Sequence, residues 1–221
     1  MSIVAIEVDV QQTFSSLCPD ELPVNGVLEI VSELNYQAQL ADFRVLSKEA
    51  HGPSGLWRVD TRAEMGQCTG HSDADLTWVA HAEVGTQGFD VLPGLPRPEE
   101  YDFLIYKGVE SHLHPYGSCY HDLQEHTSTG LIEWLHFKKT RLILLGGLTM
   151  EYCVKHTALQ LLRASKTWKV VVNLAACRGL DHETSNMALL EMKRAGGIEV
   201  NSREELLREV GRTRYLASRA L

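Results

Sequence analysis

Three polar residues of different chemical types follow runs of apolar residues. Asp9 follows VAIEV, Lys107 follows FLIY, and Cys153 comes shortly after LILLGG, at the start of a helical pattern. Short apolar runs of this kind predict buried strands. In an open α/β sheet the carboxyl ends of parallel strands lie along one edge, which is where ligands normally bind. The three side chains are therefore expected to lie together at a site.

This combination of side chains favours nucleophilic catalysis. A cysteine near a helix N-terminus, with a lysine close by, ionises more readily because both supply positive potential. Asp9 would accept the thiol proton and return it to a leaving amine, while Lys107 holds both charges in place. Each residue also has a structural interpretation, as a turn cap, a solvent-facing lysine or a core cysteine. Their common location favours a cysteine hydrolase that cleaves a small amide.

The elements that must position these residues alternate along the chain. Short apolar runs predict strands, and apolar residues at helical spacing predict helices between them. This alternation predicts an α/β fold, with a doubly wound, mainly parallel sheet and helices on both faces. The predicted strands are 3–8, 43–46, 103–106, 142–145 and 170–174, and the predicted helices are 24–40, 128–137, 151–164, 183–194 and 204–209.

One long segment, residues 48–100, has little periodicity and is rich in glycine and proline. Such an irregular insert is uncommon in a compact domain unless it builds a binding site. We interpret it as the part that completes a metal or substrate site. The whole chain, 1–221, is expected to form one domain, since this length is ordinary for a single α/β unit.

Composition narrows the functional classes. Lysine and arginine number 21 against 29 acidic residues, giving a net charge of −8. The sequence shows no clustered basic face, so nucleic-acid binding is not predicted. The sequence has no stretch of about eighteen apolar residues, so a membrane span is not predicted. The start of the chain, MSIVAIEVDVQQ, is unlike a signal peptide. Five irregularly spaced cysteines indicate reduced thiols, and we expect a cytoplasmic protein.

Four segments, in order along the chain, carry a family resemblance. They are IVAIEVDVQQTF from residue 3, YKG from residue 106, GGLTMEYCVKHTALQLL from residue 146, and AACRGLD from residue 175. Together they resemble the isochorismatase-like cysteine hydrolases, and within them the nicotinamidases. The resemblance implies a three-layer fold and hydrolysis of nicotinamide to nicotinate and ammonia through a cysteine acyl-enzyme. It also implies a place in NAD salvage and cleavage of pyrazinamide.

The resemblance assigns roles to individual residues. By it, Asp9 is the general base, Lys107 the charge partner and Cys153 the nucleophile. The backbone N–H groups of Thr149 and Cys153 match the oxyanion-hole positions, and the Leu148–Thr149 bond matches a cis peptide.

Aromatic residues match the walls that surround the substrate ring in this family. Phe14 and Trp78 take these positions, and Tyr116 closes the pocket. Stacking against a flat ring is worth about 0.5–1.5 kcal/mol per contact beyond area burial. The alternative for each residue is ordinary core packing.

The resemblance also implies a divalent metal beside the nucleophile, with Glu49, His51 and His81 at the ligand positions. Side chains two residues apart on an extended segment point to the same side, so Glu49 and His51 can bind one metal together. Carboxylate and imidazole ligands suit zinc, iron or manganese alike. Trp57 stands where a second histidine is expected. Either a substitute ligand is supplied from the insert, or the metal is bound weakly or not at all; the candidates are Asp60, Glu64 and His71.

Four more histidines lie between the second and third matching segments. Their spacing fits no compact ligand set, so we interpret them as polar loop residues near the cleft. They are His112, His114, His121 and His126.

Two other functional readings stay open. The first is a related cysteine amidase for another small carboxamide or carbamoyl compound, which the differences at Glu49, Trp57 and Met150 favour. The second is a non-enzymatic member of the fold, because fold alone does not fix function. A small-molecule amide is the expected partner, and a homo-oligomer is possible, whereas nucleic acid and membrane are not expected.

Overall fold

The computed structural model describes residues 1–218, and within them the chain builds one large parallel sheet and two small ones. The large sheet has six strands in the order β10-β9-β8-β1-β2-β7, all parallel to their neighbours, while β3 pairs with β6 and β4 with β5. The strands are β1 (Ser2–Val8), β2 (Phe43–Glu49), β3 (Arg58–Val59), β4 (Cys68–His71), β5 (Ala74–Leu76), β6 (Trp78–Val79), β7 (Phe103–Lys107), β8 (Thr140–Gly147), β9 (Lys169–Cys177) and β10 (Ile198–Val200).

Helices follow all strands of the large sheet except β2, which residues 50–102 link to β7 without an α-helix. They are α1 (Val31–Gln39), α2 (Leu131–Phe137), α3 (Lys155–Ala164), α4 (His182–Arg194) and α5 (Arg203–Ser218), and a π-helical turn (Met150–Val154) leads into α3. None of the helices in the described range is long and apolar enough to cross a membrane.

Alternate residues of the central strands pack into different core clusters. Ile6 of β1 lies in one cluster with Leu135 of α2 and with Leu161 of α3. Ile3 of the same strand lies in the other with Leu206 of α5. Successive side chains of a strand point to opposite faces, so helices cover both faces of the sheet. The predicted doubly wound α/β fold is confirmed.

The sequence located the long elements and missed the short ones. All five predicted strands are confirmed, but β10 has only three residues, too few to give a periodic signal. Residues 48–100 are less irregular than expected, because they contain the end of β2 and the four short strands β3 to β6. The last helix runs over Arg203–Ser218, well beyond the predicted 204–209, because Val210 extends its apolar face onto the sheet.

The register brings the carboxyl ends of four strands together. Val8 pairs with Ser47 of β2 and with Gly147 of β8, and Glu49 pairs with Lys107. Gly147 has a φ of +129°, and a Cβ there would overlap the backbone of Val8. Only glycine allows β8 to leave the sheet so close to β1.

Candidate active site

The edge of the sheet holds a buried ion pair. Asp9 follows β1 with a φ of +50°, and its Oδ2 lies 2.7 Å from Nζ of Lys107, the last residue of β7. The Ser47 hydroxyl donates to Asp9 Oδ1 at 2.8 Å, and Lys107 Nζ donates to the carbonyl oxygen of Tyr116 at 2.7 Å. Asp9 and Lys107 are both fully buried. Their hydrogen bonds fix both side chains, as a buried pair requires.

Cys153 lies at the same edge, inside the π-helical turn that follows β8. Its Sγ, with carboxylate oxygens of Asp9 and Glu49, forms a group whose ligand atoms are all within 4.8 Å of one another. The thiol donates to Glu49 Oε1 at 3.6 Å. The Leu148–Thr149 peptide just before the turn is cis, as the resemblance implied. The structure therefore brings Asp9, Lys107 and Cys153 together.

The protonation of this group differs from the sequence-based expectation. Burial raises the pKa of the Cys153 thiol well above its usual value, and the nearby charge of Lys107 offsets this only in part. Burial also raises the pKa of Asp9, against the lowering effect of Lys107. The expected lowered pKa of Cys153 is therefore wrong for the chain alone, because desolvation outweighs the positive potential. In the chain alone, burial thus disfavours the charged form of both the thiol and the carboxylate.

A second cluster lies beside the first and consists of Glu49, His51, His81 and His114. One ligand atom from each lies within 4.8 Å of every other, and all four residues are buried. Backbone carbonyl groups set two of the tautomers: His51 Nδ1 lies 3.1 Å from Gly108 O, and His81 Nδ1 lies 2.7 Å from the carbonyl oxygen of Val79. The Nδ1 atoms carry the protons, so each Nε2 presents a lone pair to the cluster.

These lone pairs face a carboxylate. Glu49 Oε2 lies 2.9 Å from His81 Nε2 and 3.5 Å from His51 Nε2. Within residues 1–218, Glu49 Oε2, His51 Nε2 and both ring nitrogens of His114 have no hydrogen-bond partner. Buried polar atoms without partners are costly. Converging acceptors of the imidazole and carboxylate type therefore fit a divalent metal.

The charge of the cluster also affects its members. Burial would raise the pKa of Glu49, but the neighbouring His81, His51 and Lys107 together outweigh burial, and the pKa is lowered well below the usual range. Burial would lower the pKa of His81, but Glu49 raises it overall. The buried Glu49 carboxylate thus strongly favours a positive charge beside it.

The three ligands named from the sequence, Glu49, His51 and His81, are brought together. The suggested substitutes are not part of the cluster: Asp60, Glu64 and His71 are all exposed.

His114, which sequence reasoning interpreted as a polar loop residue, is 2% exposed and belongs to the cluster. Its position two residues before Tyr116, a predicted pocket residue, is a signal that could have drawn attention to it.

A small pocket opens beside Cys153. It encloses about 270 Å³ of empty space, part of which is open to solvent. The predicted aromatic residues line it with others that the sequence did not single out. The lining residues are Phe14, Leu22, Glu49, Trp78, His81, His114, Tyr116, Thr149, Tyr152, Cys153 and Leu180.

Several aromatic contacts hold the pocket wall. The rings of Trp78 and Tyr152 meet edge to face with centroids 4.9 Å apart, and Trp78 Nε1 donates to the Tyr116 hydroxyl at 3.4 Å. That hydroxyl donates in turn to Asp75 Oδ1 at 2.8 Å. The wall is fixed, flat and mostly apolar, which suits a small aromatic ligand.

Comparison with known proteins finds similar sequences among the nicotinamidases. No family model matches the sequence. The chain is 29% identical over 133 residues to the nicotinamidase of Acinetobacter baylyi, a match that spans 60% of each chain. It is 27% identical over 195 residues to the nicotinamidase/pyrazinamidase of Mycobacterium tuberculosis, covering 86% of this chain and 94% of that protein. The resemblance to the nicotinamidases is confirmed.

Solved structures agree on the fold. A nicotinamidase/pyrazinamidase of Acinetobacter baumanii has a TM-score of 0.79 at 23% identity and covers 91% of this chain and 97% of its own. The pyrazinamidase of Pyrococcus horikoshii in complex with zinc has a TM-score of 0.70 at 24% identity, covering 90% and 99%. An isochorismatase-like hydrolase from Alkaliphilus metalliredigens has a TM-score of 0.64 at 16% identity, covering 94% and 99%. The chain has the isochorismatase-like fold.

Proposed function

We propose that this chain is a cysteine amidohydrolase that converts nicotinamide to nicotinate and ammonia, serves NAD salvage and also cleaves pyrazinamide. The observation that carries the proposal is the placement of Cys153 Sγ beside Asp9, with Lys107 Nζ 2.7 Å from the Asp9 carboxylate, next to a small aromatic pocket. The nicotinamidase relatives support the choice of substrate.

The first half of the reaction forms an acyl-enzyme. Asp9 takes the proton of Cys153 as the sulfur attacks the carboxamide carbon, and the electron pair of the C=O bond moves to oxygen. The backbone N–H groups of Thr149 and Cys153 hold this oxyanion. Asp9 then gives the proton to the amide nitrogen, the C–N bond breaks, and ammonia leaves.

The second half releases the acid. Water attacks the thioester carbon, Asp9 accepts a proton from it, and the C–S bond breaks. That proton passes to the sulfur, which restores the resting thiol. Lys107 is the charged partner, because the acidic groups around it, Asp9 foremost, raise its pKa above the usual value even though burial opposes this.

Two carboxylates lie near the thiol, and their proton affinities distinguish them. Glu49 Oε1 accepts from Cys153 Sγ, but the pKa of Glu49 is lowered, because the positive groups around it, His81 foremost, together outweigh burial. The pKa of Asp9 is raised by burial. The other oxygen of Glu49, Oε2, faces the Nε2 atoms of His81 and His51, so we assign the ligand role to Glu49 and the proton-accepting role to Asp9.

The substrate ring is proposed to lie between Phe14 and Trp78, with Tyr116 closing the pocket. A divalent metal, which is zinc, iron or manganese, would be held by Glu49, His51 and His81 beside this ring. When bound, it would supply positive charge that holds the ring nitrogen and lowers the pKa of nearby acidic groups.

We also propose a cytoplasmic location. All five cysteines are free thiols, four of them buried. Reduced cysteines persist in reducing compartments, and the proposed chemistry needs Cys153 as a thiol.

Ammonia release from purified protein tests the function. Nicotinamide and pyrazinamide should both be cleaved, and chelator should slow the reaction. Cys153→Ala should lower kcat more than about a thousandfold, because no other group can form the acyl-enzyme. The matched control is Cys68→Ala, an exposed cysteine far from the chemistry, which should keep full activity.

The outcomes separate the competing readings. Full activity in Cys153→Ala would overturn the nucleophile. Release of ammonia from aliphatic carboxamides but not from nicotinamide would leave a cysteine amidase with another substrate. An inert protein whose Cys153 still reacts with iodoacetamide would overturn the nicotinamidase assignment.

A further inference from the structure

Trp57 occupies the position at which the family resemblance implies a histidine ligand. It is 2% exposed, and its ring centroid lies 4.5 Å from those of His51 and His114 and 5.2 Å from that of His81. The indole N–H is a donor only and has no lone pair for a metal. Trp57 therefore packs against the cluster without contributing a ligand.

His114 supplies what Trp57 lacks. Its ring stacks on His51 with centroids 5.0 Å apart and an interplanar angle of 10°. Its backbone N–H donates to the Asp73 carbonyl at 2.6 Å, which fixes the segment. Neither ring nitrogen has a hydrogen-bond partner in the described part of the chain, although the side chain is buried. An imidazole in this state needs a partner for at least one nitrogen.

We propose that His114 is the metal ligand that replaces the histidine expected at position 57, so that this chain binds one divalent metal through Glu49, His51, His81 and His114. The inference deepens the proposed function by completing its metal site. Four protein ligands leave the substrate a fifth position, which zinc, iron and manganese can each provide.

The exchange has a consequence for the neighbouring residues. His114 is two residues from Tyr116, whose carbonyl oxygen accepts from Lys107 Nζ and whose ring lines the pocket. In the family pattern the replaced ligand belongs to the insert. Here the ligand belongs to the segment that also contacts the catalytic lysine and lines the pocket.

Equilibrium metal binding tests the inference without relying on activity. Metal-free protein is titrated with cobalt(II) and with zinc, with stoichiometry measured by elemental analysis and cobalt coordination by visible absorption. The main variant is His114→Phe, which keeps a ring to stack on His51 but removes both nitrogens. The matched control is His112→Ala, at an exposed histidine two residues away.

The wild-type protein and His112→Ala should bind one metal per chain. His114→Phe should bind at least about tenfold more weakly and show a changed cobalt spectrum, because one ligand is lost. The double variant Trp57→His with His114→Ala restores the expected histidine and should regain affinity relative to His114→Ala. Circular dichroism of each variant establishes that it is folded before the titration.

Unchanged affinity and spectrum in folded His114→Phe would overturn the inference, and so would the absence of binding to the wild-type protein. These results are independent of turnover. A protein that binds metal through His114 but leaves nicotinamide intact would support this inference while overturning the proposed function.

Discussion

The ion pair of Asp9 and Lys107 lies wholly inside the protein, where unpaired charge is expensive. Lys107 Nζ has a second carboxylate within reach, Glu49 Oε1 at 3.9 Å, and a carbonyl acceptor in Tyr116. One lysine thus balances the carboxylates on either side of the thiol. Its charge lowers the pKa of Asp9 and so opposes the effect of burial.

Asp9→Asn removes the base and leaves Lys107 with only the more distant carboxylate. The amide keeps the shape and can still bond to Ser47, so the fold should persist. We expect kcat to fall about 10²–10⁴-fold, as for loss of a general base. We also expect the free energy of unfolding to fall by about 3 kcal/mol, because a buried pair is broken.

Ammonia release and urea unfolding measure the two effects. Asp60→Asn, at an exposed aspartate, is the control and should change neither. An Asp9→Asn variant with wild-type kcat would show that another group, with Glu49 the first candidate, accepts the thiol proton.

The raised pKa of Asp9 predicts the direction of the pH dependence. Burial raises this pKa above the ordinary aspartate value of about 3.9, so the competent carboxylate is present above the raised pKa and is lost as pH falls through it. The acid limb of kcat/KM should therefore lie at a higher pH than for an ordinary aspartate. A pH–rate profile measures it, with circular dichroism at each pH to exclude unfolding. Constant kcat/KM down to about pH 4 would contradict the assignment.

At the scale of elements, the site residues that the sequence can predict are those that lie at the ends of recognisable strands. Asp9 and Lys107 were identifiable because each adjoins an apolar run long enough to read as a strand, and parallel topology brings such ends together. His114 could not be identified as a site residue, because it lies in a segment without periodicity and its burial depends on contacts with Trp57 and His51. The pKa of Cys153 was predicted in the wrong direction, since sequence spacing shows nearby charge but not desolvation.

The junction between β8 and β1 depends on Gly147. A Cβ there would overlap the Val8 backbone, and the φ of +129° is strained for any other residue. Gly147→Ala should lower the free energy of unfolding by more than about 2 kcal/mol, as backbone clashes do. Urea unfolding measures the change.

The control is Gly211→Ala, inside α5, where an added Cβ meets nothing within 4 Å. Alanine favours a helix over glycine, so this variant should gain roughly 0.5–1 kcal/mol. Equal effects of the two substitutions would show that the clash with Val8 is unimportant.

At the scale of the whole molecule, metal binding should stabilise the fold. The four-residue cluster joins β2, the insert and the segment after β7, so unfolding separates its members. Zinc at about 100 times its Kd should add about 2.7 kcal/mol of stability, which corresponds to a Tm increase of roughly 5–10 °C at this chain length.

Thermal unfolding of chelator-treated protein, with and without zinc, measures this increase. Magnesium is the control, because it prefers an all-oxygen octahedral site and should leave Tm unchanged. The same Tm with zinc and magnesium would contradict a site built from Glu49 and histidines.

The sheet order places β1 between β2 and β8, and the two neighbours differ greatly in their distance along the chain. During synthesis β1, β2 and β7 are available first, so Asp9, Glu49 and Lys107 can meet while the strand that precedes Cys153 is still unmade. Pairing β8 with β1 closes a much longer loop, and contacts this distant in sequence form slowly. The nucleophile therefore reaches its base only after β1 is paired on both sides, so the assembly of the reactive centre waits for the long-range pairing of β8.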